Sequence, residues 1–533
     1  MARRTIFVGT FVHTPAPSTL QIMENAAVFV DEDGVIAHID IDTSSPDARL
    51  NNDLEEWSGA ELIFTRPSEN EFFFPGFVDT HIHASQYPNA GVFGNSTLLD
   101  WLEKYTFPIE ASLANPDKAR RVYGRCIQRT LANGTTTAAY YATRSVESTN
   151  LLADLCLKAG QRAFVGRCNM DQNAPSYYID EDVETAVRDT EATIAHCRKV
   201  DPEGKIVRPI VTPRFGPTCT AELLKGLGDY AKKENLFVQT HISENKAEIA
   251  WVNALFPTSK GYADVYETAG LLHDRTILAH AIHLTDEEIE LIHSRGCGIA
   301  HCPVSNLALS SGNARVRALL EKGIKVGLGT DMSGGYSPSV LESVRQATLV
   351  SRMVAMTEGE EAKLSLTEAL YLGTRGGAEV MGLGDKVGAF KVGMQWDAIL
   401  VGLGNVPKWE QHEAENGANE ESDSPSQPGE QEGESAEDEL TNGLLGLGGF
   451  DSESEAEAED HVPAEGEKLT EPKIGDGIEE DAVDIFGWEN WEEKVAKWAY
   501  NGDDRNTLGV WVAGVEVYRK GGSPPTWPVE CSP

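Results

Sequence analysis

Two histidines stand two residues apart in PGFVDTHIH, Pro75 to His83. An apolar run, Phe72-Phe73-Phe74, precedes them and reads with them as one buried strand. Side chains alternate along a strand, so His81 and His83 point the same way. Taken alone, such a pair is an ordinary polar strand end. Three more residues change that reading: His241, His280 and Asp331 each follow another apolar, strand-like run. His81, His83 and His241 offer nitrogens and Asp331 an oxygen, enough for a mononuclear divalent site with one position open to water. Nitrogen and oxygen ligands without thiolate suit Zn2+, Fe2+ or Co2+ alike. Such an ion lowers the pKa of its water to about 7, and Asp331 can then take the proton.

Glu244 comes three residues after His241, in THISEN. That spacing sets a carboxyl beside the metal without binding it, where burial raises its pKa and suits it to shuttle protons. Alone it would be a helix-starting Glu near Ser243; beside the metal set, the shuttle is the better reading. His280, in LAHAIHL, can hydrogen-bond the attacking hydroxide and the tetrahedral centre, or serve as a further ligand. His283 and His293 read as surface or satisfied histidines, and His301, in AHCPVSN, as a support for its loop. Arg214 and Phe215, in VTPRF, supply a planar fork and a ring face. Gln86 can donate and accept at once. Together these suit a flat heterocycle with C=O and N–H edges.

Apolar runs alternate with amphipathic helical stretches from residue 72 to 382. The strand candidates are FFFPGFVDTHIH, TTTAAYYAT, RAFVGRCNM, IVRPIVTPRF, LFVQTHISE, TILAHAIHL, CGIAHCPVSN and KVGLGTDM. Eight strands alternating with helices over this length predict an α/β fold, a (β/α)8 TIM-like barrel. An open doubly wound sheet would want a Gly-rich phosphate loop after an early strand, and none is present. In a barrel the site lies at the C-terminal strand ends, where His81, His83, Arg214, His241, Glu244, His280 and Asp331 all fall. Residues 1–71 predict short strands, with AAVFVDEDGVIAHI as a hairpin. Residues 383–405 and 482–533 add further strands and the helix IFGWENWEEKVAKWAY. These parts form a small composite β domain from both chain ends.

Between them, residues 406–481 are rich in Glu, Ser, Gly and Asn, and read as an acidic disordered insertion. Its short apolar tract LTNGLLGLGGF reads as idle rather than as a docking motif. The chain has 533 residues and a net charge of -39, and the segment from Asn405 to Asp484 supplies more than half of that charge. The acidic balance argues against nucleic acid and anionic membranes as partners. Eight cysteines are scattered with no C-x-x-C pair, so they read as reduced thiols. No apolar run spans a bilayer and the first residues carry no sustained apolar stretch. A soluble, cytoplasmic chain is expected.

PGFVDTHIHASQY, VTPRFGPTC, THISEN, AHAIHL, HCPVSNLAL and GLGTDMSGGYSPS resemble the amidohydrolase superfamily and, within it, the guanine deaminases. WLEKYTFPIE, Trp101 to Glu110, shares that likeness. The resemblance implies one zinc per chain on His81, His83, His241 and Asp331, and hydrolysis of guanine to xanthine and ammonia. It implies substrate contacts at His83, Ala84, Ser85, Gln86, Arg214, Phe215, His241, Glu244 and Asp331, with Glu244, Asp331 and His280 as the catalytic groups. It also implies a homodimer. The acidic insertion departs from the family pattern and is free to bind a partner the sequence does not name. The alternatives are a sister hydrolase acting on S-adenosylhomocysteine, an adenosine-type substrate or a triazine, and a metal-free scaffold. Scaffolds of this kind lose ligands, whereas this chain keeps them. The other zinc deaminase signature, H-x-E with P-C-x-x-C, is absent.

Overall fold

The computed structural model describes residues 3–41, 57, 59–406 and 482–522. The acidic insertion lies outside them from residue 407 onward. Eight parallel strands lie side by side in chain order: Phe77–His83, Thr135–Tyr141, Arg162–Gly166, Val207–Pro213, Phe237–Ile242, Thr276–His280, Gly298–His301 and Lys325–Leu328. The ring closes at its mouth, where the Asp331 N–H donates to the His81 carbonyl at 2.8 Å and the His83 N–H to the Met332 carbonyl at 3.0 Å. The expected (β/α)8 barrel is therefore present, each strand where an apolar run foretold it. Most of the strands are buried along their whole length, as strands covered on both faces must be.

The intervening helices begin where side chains satisfy their first amides. Ser145, Asp182 and Thr220 each accept from the backbone N–H three residues on. Thr285 and Glu288 form a reciprocal capping box.

A second sheet joins both chain ends. Its order is Val515–Arg519, Thr507–Val512, Ala398–Val401, Phe72–Pro75, Thr5–Ala16, Thr19–Val30 and Ile36–Asp40, with Glu61–Phe64 paired to Thr5–Ala16. One expectation is corrected here. Phe72-Phe73-Phe74 does not run into the histidine strand; it pairs antiparallel with Ala398–Val401 in this second sheet. The break falls at Gly76, where a Cβ would lie 2.1 Å from Thr136 Cγ2. Alternation then uses both faces of the run: Phe73 stacks on Phe11, while Phe72 and Phe74 pack edge-on against Trp498.

Trp498 lies on the helix Trp491–Asn501. That helix starts later than IFGWEN foretold. The Glu489 carboxylate accepts from the Phe486 and Gly487 amides, and Gly487 has φ of 98°, so the chain turns there before the helix begins. A buried ion pair, Arg162 to Asp397 at 3.1 Å, ties the third barrel strand to the entry of the second sheet. Among the described residues no helix is long and apolar enough to cross a membrane.

Candidate active site

His81 and His83 end the first barrel strand and are buried. His241 comes one residue before the end of the fifth strand, and His280 ends the sixth. Asp331 follows the eighth strand. His280 and Asp331 hold left-handed backbone, φ 72° and 45°, as do Ser243 and Ala281 beside them. Such conformations are costly for side chains other than glycine and concentrate where a site over-determines them.

The donor set fits a divalent ion. The ligand atoms of His81, His83 and Asp331 lie within 4.8 Å of one another, as do those of His81, His241 and His280. His241 Nδ1–H donates to the Arg214 carbonyl at 2.6 Å, which leaves Nε2 bare. That nitrogen meets His83 Nε2 at 3.2 Å, close to the ~3.3 Å that two nitrogens take on one tetrahedral zinc. His81 Nε2 lies 3.2 Å from Asp331 Oδ1 without hydrogen-bonding geometry. Burial lowers all three imidazoles, which favours the neutral ring with a lone pair to give.

The two acids of the site are pushed apart. Burial raises the Glu244 carboxyl to about 7. Burial would raise Asp331 too, but the facing imidazoles of His81 and His280 bring it down to about 2. His280 sits between them, its Nε2 3.5 Å from Glu244 Oε2 and 3.8 Å from Asp331 Oδ2. Its Nδ1 bonds Asn306 Oδ1 at 2.9 Å, so Nε2 is the nitrogen turned to the acids. Burial would lower His280; the two carboxylates outweigh it and raise it. Glu244 is not a helix cap. The helix starts at Asn245, and Glu248 accepts from the amides of Glu244 and Asn245 while Ser311 Oγ holds Glu244 Oε1 at 3.2 Å.

One narrow cavity opens onto this cluster. His83, Gln86, Arg214, Phe215, Glu244 and His280 line it, with Leu98, Trp101, Leu102 and Leu309 as its apolar wall. Ala84 and Ser85 are buried but lie outside the lining; the Ser85 hydroxyl turns to the Ala142 carbonyl at 3.5 Å. His301 lines a different cavity, with Arg317 and Val354, and His283 is satisfied by the Ser311 carbonyl. Residues without a foretold role complete the site. Glu110 accepts from Gln86, Arg214 and Tyr178. Asn306, Ser311 and Glu248 hold His280 and Glu244 in place. WLEKYTFPIE was the sequence signal that contained Glu110.

The chain belongs to the amidohydrolase family, whose model matches residues 72–441. Guanine deaminases are among its relatives. The probable guanine deaminase of Schizosaccharomyces pombe is 41% identical over 510 residues, 96% of this chain and 82% of the relative. The guanine deaminase of Homo sapiens is 42% identical over 396 residues, 74% of this chain and 86% of the relative. Among solved structures, the guanine deaminase of C. acetobutylicum with guanine bound in its active site matches with a TM-score of 0.74 and 32% identity, over 97% of this chain and 100% of that one.

Proposed function

We propose that this chain hydrolyses guanine to xanthine and ammonia, using one zinc ion held by His81, His83, His241 and Asp331. The observation that carries the reading is the shared cavity. It joins a pair of carboxylates with opposite proton affinities to a donor, an acceptor and a ring face: Glu244 and Asp331 with Arg214, Gln86 and Phe215. The names of the relatives support the same substrate.

When bound, the ion supplies a hydrolytic nucleophile at neutral pH and positive charge for the tetrahedral centre. The chain's own residues do the rest. Phe215 offers its ring to the purine plane, while Gln86 and Arg214 hold its polar edge. Asp331 is ionised at neutral pH and stands beside the other ligands, placed to accept the proton of the attacking water. Glu244 carries a proton near neutrality, delivers it to ring nitrogen N3 and makes C2 electrophilic. His280 hydrogen-bonds the developing oxyanion. A proton returned by Asp331 or Glu244 lets the amine leave as ammonia, so water and guanine balance xanthine and ammonia. The family resemblance further implies a cytoplasmic homodimer, and light scattering of the purified chain would test the dimer.

Xanthine formation tests the chemistry. Protein stripped by chelator should form none, and added Zn2+ should restore it. Metal-replete protein that leaves guanine intact contradicts the proposal.

A further inference from the structure

Three short helical segments, Leu98–Trp101, Leu102–Thr106 and Phe107–Ser112, follow one another beside the cavity. Leu98, Trp101 and Leu102 form part of its wall. Glu110, on the third segment, is wholly buried. Its Oε1 accepts from Gln86 Nε2 at 2.7 Å and from Arg214 Nη2 at 3.2 Å. Its Oε2 accepts from Arg214 Nη1 at 2.6 Å and from the Tyr178 hydroxyl at 2.8 Å.

We infer that Glu110 is a positioning residue that fixes the polarity of the pocket, holding Gln86 as an acceptor and Arg214 as a donor so that only a purine edge with N–H beside C=O fits. A carboxylate facing a guanidinium has no proton to give. The end of the Gln86 amide turned to Glu110 is therefore the NH2 donor. The carbonyl Oε1 of Gln86 is left over, buried and without a partner, at a residue that lines the cavity. Arg214 is donor-only whatever it faces. Its fork is fixed by the two-point bond to Glu110 and by the Phe107 ring, 5.3 Å from its guanidinium carbon.

The inference rests on the guanine reading and deepens it. The 6-oxo edge of guanine offers N1–H to an acceptor and O6 to a donor. In the same ring frame adenine offers the reverse, a bare N1 and an amino group. A glutamine free to turn over could serve either edge; one tied to Glu110 cannot. A buried polar group left unpaired by the wrong edge is a strong source of discrimination.

The test compares two bases that lack the 2-amino group and so act as inhibitors: hypoxanthine, with the guanine-like edge, and adenine, with the reverse. In the zinc-loaded wild type, hypoxanthine should bind far better than adenine. In Glu110→Gln the new amide can pair with Gln86 in either orientation, so the adenine-to-hypoxanthine Ki ratio should fall by ~10-fold or more. Glu110→Asp, which keeps an acceptor-only carboxylate, should retain the wild-type ratio even where both bases bind more weakly. Gln86→Met leaves the Glu110–Arg214 pair intact and should collapse the same ratio, which keeps the test open if Glu110→Gln does not fold. Equal weakening of both bases, with the ratio unchanged in Glu110→Gln or Gln86→Met, overturns the inference. A wild type that deaminates guanine while the ratio stays fixed in the variants sinks this inference alone. A wild type inert toward guanine sinks the reading beneath it.

Discussion

Nε2 of His280 lies 3.5 Å from the Glu244 carboxylate, with the ring turned to that side by the bond from its other nitrogen to Asn306. The pair lines the same cavity as Gln86 and Arg214; in the proposed binding mode Glu244 and His280 serve the reacting carbon and Gln86 and Arg214 the polar edge.

Glu244→Gln separates proton transfer from metal binding. The amide keeps the shape but cannot carry the proton, so kcat should fall by ~10²–10⁴-fold while metal content measured by emission spectroscopy stays at the wild-type level. A variant with near-normal kcat would remove Glu244 from its role.

Arg214→Ala should cost stability as well as recognition. It leaves the buried Glu110 carboxylate without its cation, and breaking such a pair costs ~3–5 kcal/mol. Both a lower Tm and a higher KM for guanine are expected; an unchanged KM would refute the recognition role. The stability loss was not foreseeable from VTPRF, because nothing in that stretch announces a buried carboxylate.

Trp498→Ala tests the junction of the barrel and the composite sheet. Trp498 is 2% exposed and stacks on Phe77 at the start of the histidine strand, ring centroids 6.0 Å apart. Its loss should cost ~3–5 kcal/mol and lower Tm clearly. The molecules that remain folded should still turn over guanine, since no atom of Trp498 lines the site. A Tm within a degree or so of wild type would contradict this packing account.

His13 should make the protein acid-sensitive. Burial pushes its imidazole down to about 4. Nδ1 accepts from the Phe390 N–H at 3.1 Å, and Nε2–H donates to Gln21 at 3.0 Å. The folded pKa lies below the unfolded value of 6.5, so the neutral ring's contribution is whole above that value. It is lost as pH falls from there through about 4, a total of roughly 3 kcal/mol. Melting curves between about pH 7.5 and about pH 5 should show a steeper fall for wild type than for His13→Gln. Equal slopes would show that His13 does not titrate with unfolding.

The barrel and the convergence of His81, His83, His241, His280 and Asp331 at its mouth were legible because they depend on local pattern. Strands buried on both faces must be continuous apolar runs, and the ligands sit at the ends of those runs. Phe72-Phe73-Phe74 shows the limit of that signal: an apolar run declares burial, not which sheet it joins, and the backbone passes from one sheet to the other at Gly76, whose N–H goes to Asp397 while that of Phe77 goes to Gly134. Glu110 was out of reach for a different reason. Its partners Gln86, Tyr178 and Arg214 are 24, 68 and 104 residues away in sequence, and a glutamate on a short helical segment looks like a solvated one until those three close around it. Glu248 took the capping role that the sequence offered to Glu244, a distinction that depends on where the helix starts.

Ammonia release reports the proposed reaction itself. Purified protein of known metal content would be offered guanine, adenine, cytosine, adenosine, S-adenosylhomocysteine and a triazine. The account predicts release from guanine far above the others, abolished by chelation and restored by Zn2+. Release from a different ring would contradict it, as would metal-loaded protein that releases no ammonia from guanine.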